Sequence, residues 1–408
     1  MQLEVVLKKI EGSRKDMTAD MVEMIRIPAI GPTNGGKGEA LRADMVQKLL
    51  EGFDSVERID VPDNNDPSVK RPNIIAKKNG KEKGTVWIVS HLDTVLPGDL
   101  DDWVSPPYEP RVEDGKIYGL GTEDNGQAVI SSIYAAKYIP AGILKGKSIG
   151  LAIVSDEETT SAMGIEYLVK NGYFSNDDLV IVPDWGMPGG MMIEVAEKHL
   201  LWFKTEIEGK QTHGSTPHKG INAYRVSTKF LADLMDKLEF RYNEEDPLFR
   251  PPISTFEPTK SIATVGNVNT IPGYDEFWMD CRVLPRYDPD EILEFVKTIA
   301  KEHSEKTGAK IVVKVEQRTF AGKPSAIDNS DFQAFKESVS SIIGKNVDTI
   351  GVGGGTCANF FRLKGLNAYV WQCGGGTLHQ PNEHVFLDNI VIDAKVFATL
   401  FFKLCVNH

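Results

Sequence analysis

Residues 149–158 read IGLAIVSDEE, an apolar run that ends in three consecutive carboxylates. Two further stretches share this build, TVWIVSHLD at 85–93 and LVIVPDWG at 179–186. Each is a short strand with apolar residues on both faces, which water tolerates only where both faces are covered. Between them lie helical patterns, GQAVISSIYAAKY at 126–138 and GIEYLVKNG at 164–172. Such alternation predicts an α/β architecture, a mostly parallel sheet flanked by helices. The carboxylates at the strand ends raise a second question, since burying a charge is costly unless a cation meets it.

The alternation breaks near Glu197. EKHLLWFKTEIEGK (197–210) sets Leu201, Phe203 and Ile207 against Lys204, Glu206 and Glu208, the signature of a sheet with one wet face. A helix with Val226, Phe230, Leu234 and Leu238 four apart covers 223–240, followed by a polar, Pro-rich loop over 243–258. Strand candidates then occupy 261–273 and 276–285. DPDE at 288–291 opens a second helix, with Asp288 as N-cap and Pro289 in the first turn, and KIVVKVEQ (310–317) closes the segment. The order β-α-β-β-α-β predicts an inserted ferredoxin-like α+β module. Helix 332–344, strands at 347–352 and 366–374, and a last helix at 388–404 restore the α/β pattern. The chain is therefore expected to divide into 1–195, 196–317 and 318–408, the outer two segments forming one domain.

Composition narrows the function. A chain of 408 residues with a formal net charge of −12 offers no basic surface for nucleic acid or an anionic membrane, which points to a small-molecule substrate. MQLEVVLKKIEGSRKDM lacks the continuous apolar segment of a secretory signal, so a cytoplasmic protein is expected. Cys281, Cys357, Cys373 and Cys405 stand at no CxxC spacing, which argues against a thiolate metal cage.

The strand ends then supply the chemistry. One ends in His91-Leu92-Asp93, one in Glu157-Glu158, one in Asp184, and the strand near 370 runs into a glycine loop that leads to His379. Asp124 follows a Gly-x-Gly turn in YGLGTEDNGQA. Ligands of open sheets bind beyond the carboxyl ends of the strands, so these groups are placed on one rim. Alone, each is bland: an acidic run is usually a solvated face, and HLD is usually a capped turn. Together, imidazoles and carboxylates without thiolates suit zinc, with cobalt or manganese as alternatives. Three carboxylates and one hydroxide balance two divalent ions, and a bridging carboxylate would hold such a pair about 3.5–4 Å apart. Asp93, two residues from His91 and so on the same side of the strand, is expected to accept the second imidazole N–H. GVGGGT (351–356) read as a nucleotide loop lacks the following GK[ST].

The ordered set HLDTV, GLGTEDNG, SDEET, VPDWG, QTHGSTPHKGINA, GNVNTIPG, DCRVLP, GVGGGT and LHQPNEHV resembles the co-catalytic zinc peptidase and deacylase family over nearly the whole chain. That family includes acetylornithine deacetylase, succinyl-diaminopimelate desuccinylase, aminoacylase, glutamate carboxypeptidase and dipeptidases. The resemblance implies a dinuclear site in which His91 and Asp184 hold one metal, Glu158 and His379 the other, and Asp124 bridges. It implies amide hydrolysis through a metal-bound hydroxide with Glu157 as general base, Asp156 serving the turn or, alternatively, acting as a ligand. It further implies His213 as oxyanion donor, reaching in some members from the partner subunit, and Asn269 and Arg282 as holders of a substrate carboxylate. Gly355 would bring backbone close to the substrate and Thr356 would donate to it. The inserted module would be a lid and homodimerisation surface. Departures at Leu120, Gly126-Gln127, Cys357 and Asn359 touch no implied ligand, and the GGGT form looks more like the dipeptidase branch. The implied substrate is a dipeptide or an N-acyl amino acid, with biosynthetic deacylation as one alternative and a non-catalytic metal-binding scaffold as another.

Overall fold

The strands Thr85–His91, Ser148–Val154 and Leu179–Val182 are buried along their whole length. They lie side by side in parallel, and Ala368–Val370 extends the parallel set beyond Leu179–Val182. In this computed structural model, which describes residues 2–262 and 265–406, they form the centre of an eight-stranded sheet. Its order is Ser55–Pro62, Lys70–Lys78, Ser148–Val154, Thr85–His91, Leu179–Val182, Ala368–Val370, Met192–Glu197, Asp348–Val352.

The sheet is mixed rather than mostly parallel. Ser55–Pro62 and Lys70–Lys78 form an antiparallel hairpin, Lys70–Lys78 runs antiparallel to Ser148–Val154, and Met192–Glu197 runs antiparallel to Ala368–Val370. The hairpin has a simple cause: residues 63–69 are too few for the crossover of about a dozen residues that a parallel pair needs. Helix Gln127–Lys137, buried over all but its last residue, packs against helix Leu387–Phe401. A helix apolar on nearly every side belongs in an interior, and here it carries the turn that holds Asp124.

The chain divides into two compact units, Met1–Val195 with Pro324–Ile350 and Thr356–His408, and Ala196–Lys323 with Gly351–Gly355. The second unit contains a four-stranded antiparallel sheet in the order Thr255–Ile262, Tyr274–Val283, His199–Glu208, Lys310–Thr319. Helices Ala223–Arg241 and Pro289–Thr307 contribute Val226, Phe230, Leu234, Leu238, Ile292, Val296 and Ile299 to one core with Leu201, Phe203 and Ile207 of the sheet. Each such large apolar side chain stabilises the unit by about 1.5–3 kcal/mol. Asp288 caps the second helix by accepting the Asp290 N–H.

One strand begins earlier than its sequence suggests, for Thr255–Pro258 belongs to Thr255–Ile262 instead of to a loop. Pro258 is tolerated because the strand lies at the sheet edge and its register shifts between Pro258 and Lys260. Ala263 and Thr264, within the strand expected at 261–273, lie outside the described residues. Among the described residues no helix is long and apolar enough to cross a membrane.

Candidate active site

His91 closes its strand with its ring pointing at two carboxylates: Nε2 lies 2.8 Å from Asp124 Oδ1 and 3.2 Å from Asp184 Oδ1. The His379 Nε2 lies 3.1 Å from Asp124 Oδ2 and 3.1 Å from Glu158 Oε2. Asp124 thus turns one oxygen toward each imidazole. Two compact sets of donor atoms result, His91 with Asp124 and Glu158, and His91 with Glu157 and Asp184, the atoms of each set lying within 4.8 Å of one another.

Backbone geometry explains how distant segments reach this precision. Gly121, at φ +85°, turns the chain into the tight segment Thr122–Gly126, a left-handed conformation that side-chain-bearing residues adopt only with strain. The Asn125 Oδ1 accepts the His91 N–H at 3.2 Å, and its Nδ2 donates to the Pro183 carbonyl at 2.7 Å and to Asp184 Oδ1 at 2.9 Å. One amide therefore ties together three segments that bear candidate ligands. Arg42, buried, donates to the Leu92 carbonyl at 2.8 Å, between His91 and Asp93.

Asp93 behaves differently from the sequence expectation. The His91 Nδ1 lies 3.0 Å from the Asp93 main-chain carbonyl and 3.7 Å from its carboxylate, so the carbonyl is what fixes the imidazole tautomer. The carboxylate instead accepts the N–H groups of Glu157 at 3.1 Å and Glu158 at 3.0 Å. Two N–H groups with no strand partner need an acceptor, and a carboxylate supplies both. Asp156, at φ +66°, accepts from the hydroxyls of Thr159 and Thr160 and from the Met163 N–H, and lies 3.4 Å from Arg71 Nη1. Its oxygens are spent on the turn.

Negative charge accumulates here beyond what the two imidazoles offset. Burial, reinforced by Asp184, raises Glu157 well above the usual carboxylate range, and burial with the neighbouring Asp124 raises Glu158. Asp93 is pushed up to about 7, chiefly by burial. Burial also opposes ionisation of Asp124, yet the hydrogen bonds from His379 and His91 prevail and lower it. His379 rises to about 11 beside Asp124 and Glu158. The Glu158 Oε1 is buried with no hydrogen-bond partner among the described residues. An orphaned carboxylate oxygen, a surplus of buried negative charge, and nitrogen and oxygen donors without a thiolate together fit hard or borderline divalent cations.

The remaining candidates sit elsewhere in the chain. Thr356 belongs to the first unit, where its Oγ1 accepts the Ala358 N–H at 3.1 Å. His213, Asn269, Arg282 and Gly355 belong to the second unit. There His213 is exposed and its Nδ1 contacts the Ser215 hydroxyl at 2.8 Å, while the adjacent Gly214 N–H donates to the Asn269 carbonyl at 2.6 Å. The Arg282 fork is engaged by Asp280, at 2.7 and 3.0 Å, and its Nη1 donates to the Gly353 carbonyl at 2.7 Å.

Sequence reasoning missed Asn125, Glu123, Glu383, Arg42 and Arg71. Glu123 and Glu383 stand inside two of the quoted motifs, GLGTEDNG and LHQPNEHV, and so were visible, but nothing in their spacing says what they bind.

An α/β scaffold that gathers two histidines and a surplus of carboxylates beyond the ends of parallel strands has the build of a metal-dependent protein. Residues 87–403 match the model of peptidase family M20/M25/M40, and the chain belongs to that family. It is 40% identical to an uncharacterized metallohydrolase of Methanocaldococcus jannaschii, over 92% of this chain and 96% of that one. It is 24% identical to a succinyl-diaminopimelate desuccinylase of Gluconacetobacter diazotrophicus, over 94% of this chain and 95% of that one. Its fold is that of the di-peptidase Dug1p of Saccharomyces cerevisiae, with a TM-score of 0.72 at 19% identity over 98% of each chain.

Proposed function

We propose that this metallohydrolase cleaves the amide bond of a dipeptide or an N-acyl amino acid at a centre of two divalent ions. His91 and Asp184 would hold one ion, His379 and Glu158 the other, and Asp124 would bridge them; zinc is the first choice and cobalt or manganese the alternatives. The observation that carries this reading is the facing of the two Asp124 oxygens toward separate imidazoles, 2.8 Å from His91 and 3.1 Å from His379. When bound, such ions polarise the substrate carbonyl and bring the pKa of water toward about 7. Glu157 accepts a proton from the attacking water and delivers it to the departing amine nitrogen, a role that suits a carboxyl whose proton affinity burial has raised. The Asp93 carboxylate, by holding the Glu157 and Glu158 N–H groups, fixes where that proton acceptor stands relative to its neighbour.

Arg282 and Asn269 are proposed to hold the substrate carboxylate, His213 to stabilise the developing oxyanion, and the ferredoxin-like module to serve as lid and homodimer surface. Gly355 and Thr356 would contact the substrate. For Arg282 the proposal requires that a substrate carboxylate compete with Asp280 for the guanidinium. Deacylation of the acetylornithine or succinyl-diaminopimelate type is the second reading, favoured by the 24% identity to a desuccinylase.

A substrate panel tests the proposal. Protein loaded with zinc, cobalt or manganese is incubated with dipeptides and with N-acetyl and N-succinyl amino acids, and amine release is measured. Turnover of any member supports amide hydrolysis at this centre; dipeptides among the substrates mark a dipeptidase, and turnover confined to the succinyl or acetyl compounds marks the deacylase reading. Absence of turnover with every member refutes both.

A further inference from the structure

The motifs GLGTEDNG and LHQPNEHV each contain, besides a proposed ligand, a buried glutamate that the reaction does not use: Glu123 beside Asp124, and Glu383 four residues after His379. The Glu383 Oε2 accepts the Gly121 N–H at 2.8 Å, and its Oε1 accepts the N–H groups of Glu123 at 2.8 Å and Asp124 at 2.9 Å. The Glu123 Oε1 accepts the N–H groups of Gly375 at 2.5 Å and Gly376 at 2.9 Å. Its Oε2 accepts the Thr377 N–H at 2.7 Å and the Thr377 hydroxyl at 2.6 Å. Each loop therefore supplies one metal-facing side chain and one carboxylate planted in the backbone of the other loop.

We propose that Glu123 and Glu383 are paired positioning residues that lock the Asp124 turn and the His379 loop to each other, setting the separation of the two ligands and hence of the ions they hold. This rests on the two-ion reading given above.

The chemistry favours carboxylates for the task. A carboxyl group presents two oxygens with several lone pairs, and so matches converging backbone N–H groups that an amide, with a single oxygen, could satisfy only in part. The loop is shaped around this contact. A Cβ at Gly375 would lie 3.1 Å from the Glu123 Oε2, and Gly376, at φ +82°, takes the left-handed turn that aims successive N–H groups at one point. Thr377 closes the circuit, since its Oγ1 also accepts the N–H of His384, the residue after Glu383, at 3.1 Å. Neither glutamate faces the His91 or His379 ring in any hydrogen bond or ion pair among the described residues, so both act through the ligands they place.

The test is a cobalt(II) titration of metal-stripped protein, read by visible absorption and by metal retained per chain after dialysis. Wild type should take up two equivalents. Glu123→Gln should weaken the equivalent held by His379 by about 10- to 100-fold, the range for residues that orient metal ligands, and alter its absorption band, leaving the other in place. Glu383→Gln, which displaces the shared Asp124, should weaken both. Thr377→Val, which removes one hydroxyl at nearly constant volume, should change the spectrum in the same sense as Glu123→Gln, and Thr377→Ser should restore it. These two also decide the matter if either glutamine variant fails to fold. A merely structural role would lower the melting temperature and leave spectrum and affinity unchanged, and that result in the folded variants overturns the proposal with the two-ion centre intact. Uptake of fewer than two equivalents by wild type overturns both.

Discussion

Arg71 offers the sharpest test of how the site is supported. It is fully buried and faces three buried carboxylates: Glu39 through Nε at 2.9 Å and Nη2 at 2.5 Å, Asp63 at 2.9 Å and Asp156 at 3.4 Å. Asp156 is the residue before Glu157, so the same cation that offsets part of this cluster's charge also steadies the turn carrying the proposed proton acceptor. Arg71→Met preserves much of the side-chain volume but strands the carboxylates. Removing one member of a buried ion pair costs about 3–5 kcal/mol, and with more than one acid left unpaired the upper part of that range applies. At slightly under 2 °C per kcal/mol for a unit larger than 250 residues, melting should fall by about 7–9 °C. Thermal unfolding followed by circular dichroism at neutral pH measures it. If stranded charge is the cause, adding Glu39→Gln and Asp63→Asn to Arg71→Met should recover more than half of the loss. A single variant that melts within about 2 °C of wild type refutes the reasoning, as does a triple variant no more stable than the single one.

Three further outcomes are expected. Glu157→Gln should lower kcat by about 100- to 10 000-fold, the usual worth of a general base, with metal content per chain unchanged; loss of metal instead would make Glu157 a ligand, which its place in a compact set with His91 and Asp184 also permits. Dialysis against a chelator should abolish amide hydrolysis, and zinc, cobalt or manganese should restore it; activity that survives exhaustive chelation contradicts the metal centre. Lys78, buried with its ammonium donating to the Ala136 and Ile139 carbonyls at 2.9 and 2.7 Å, has its pKa lowered by burial from 10.5 to about 8. Between those values the unfolded chain binds the extra proton, so this group's contribution to stability is complete above 10.5 and is lost as pH falls through 8. Melting curves from pH 7 to pH 10.5 should show wild type gaining on Lys78→Met as pH rises, and parallel curves would refute the assignment.

The centre of the fold was legible because burial on both faces writes itself into consecutive residues. Thr85–His91 and Ser148–Val154 are apolar nearly without interruption, and both are parallel central strands. The amphipathic stripes of Ala223–Arg241 and Pro289–Thr307 were legible for the same reason at helical spacing. The hairpin Ser55–Pro62 with Lys70–Lys78 was not, because SVERIDVP alternates charge with apolar side chains and KRPNIIAKK carries charge at both ends. Arg71 and Lys78, charged yet buried there, read as surface residues until Glu39 and the Ala136 carbonyl are seen to meet them. Pro258 misled in the opposite direction, since proline signals a loop unless the strand is known to be an edge.

The same distinction separates the parts of the candidate site. His91, Glu157, Glu158, Asp184 and His379 could be singled out because each follows an apolar run or a glycine loop, and charge at such a place needs an explanation. Asp93, Glu123, Asn125 and Glu383 gave no comparable sign of their partners, because what they bind is chiefly main-chain N–H and carbonyl, which every residue has in common. Asp93 makes the point most directly: its sequence position predicts a partner in His91, and its carboxylate instead holds the N–H groups of Glu157 and Glu158, which lie more than sixty positions further along the chain. A side chain that satisfies backbone can serve any segment the fold delivers to it. Its partner is therefore fixed by topology alone, and the precision of a site assembled from five distant loops depends most on the residues whose spacing says least.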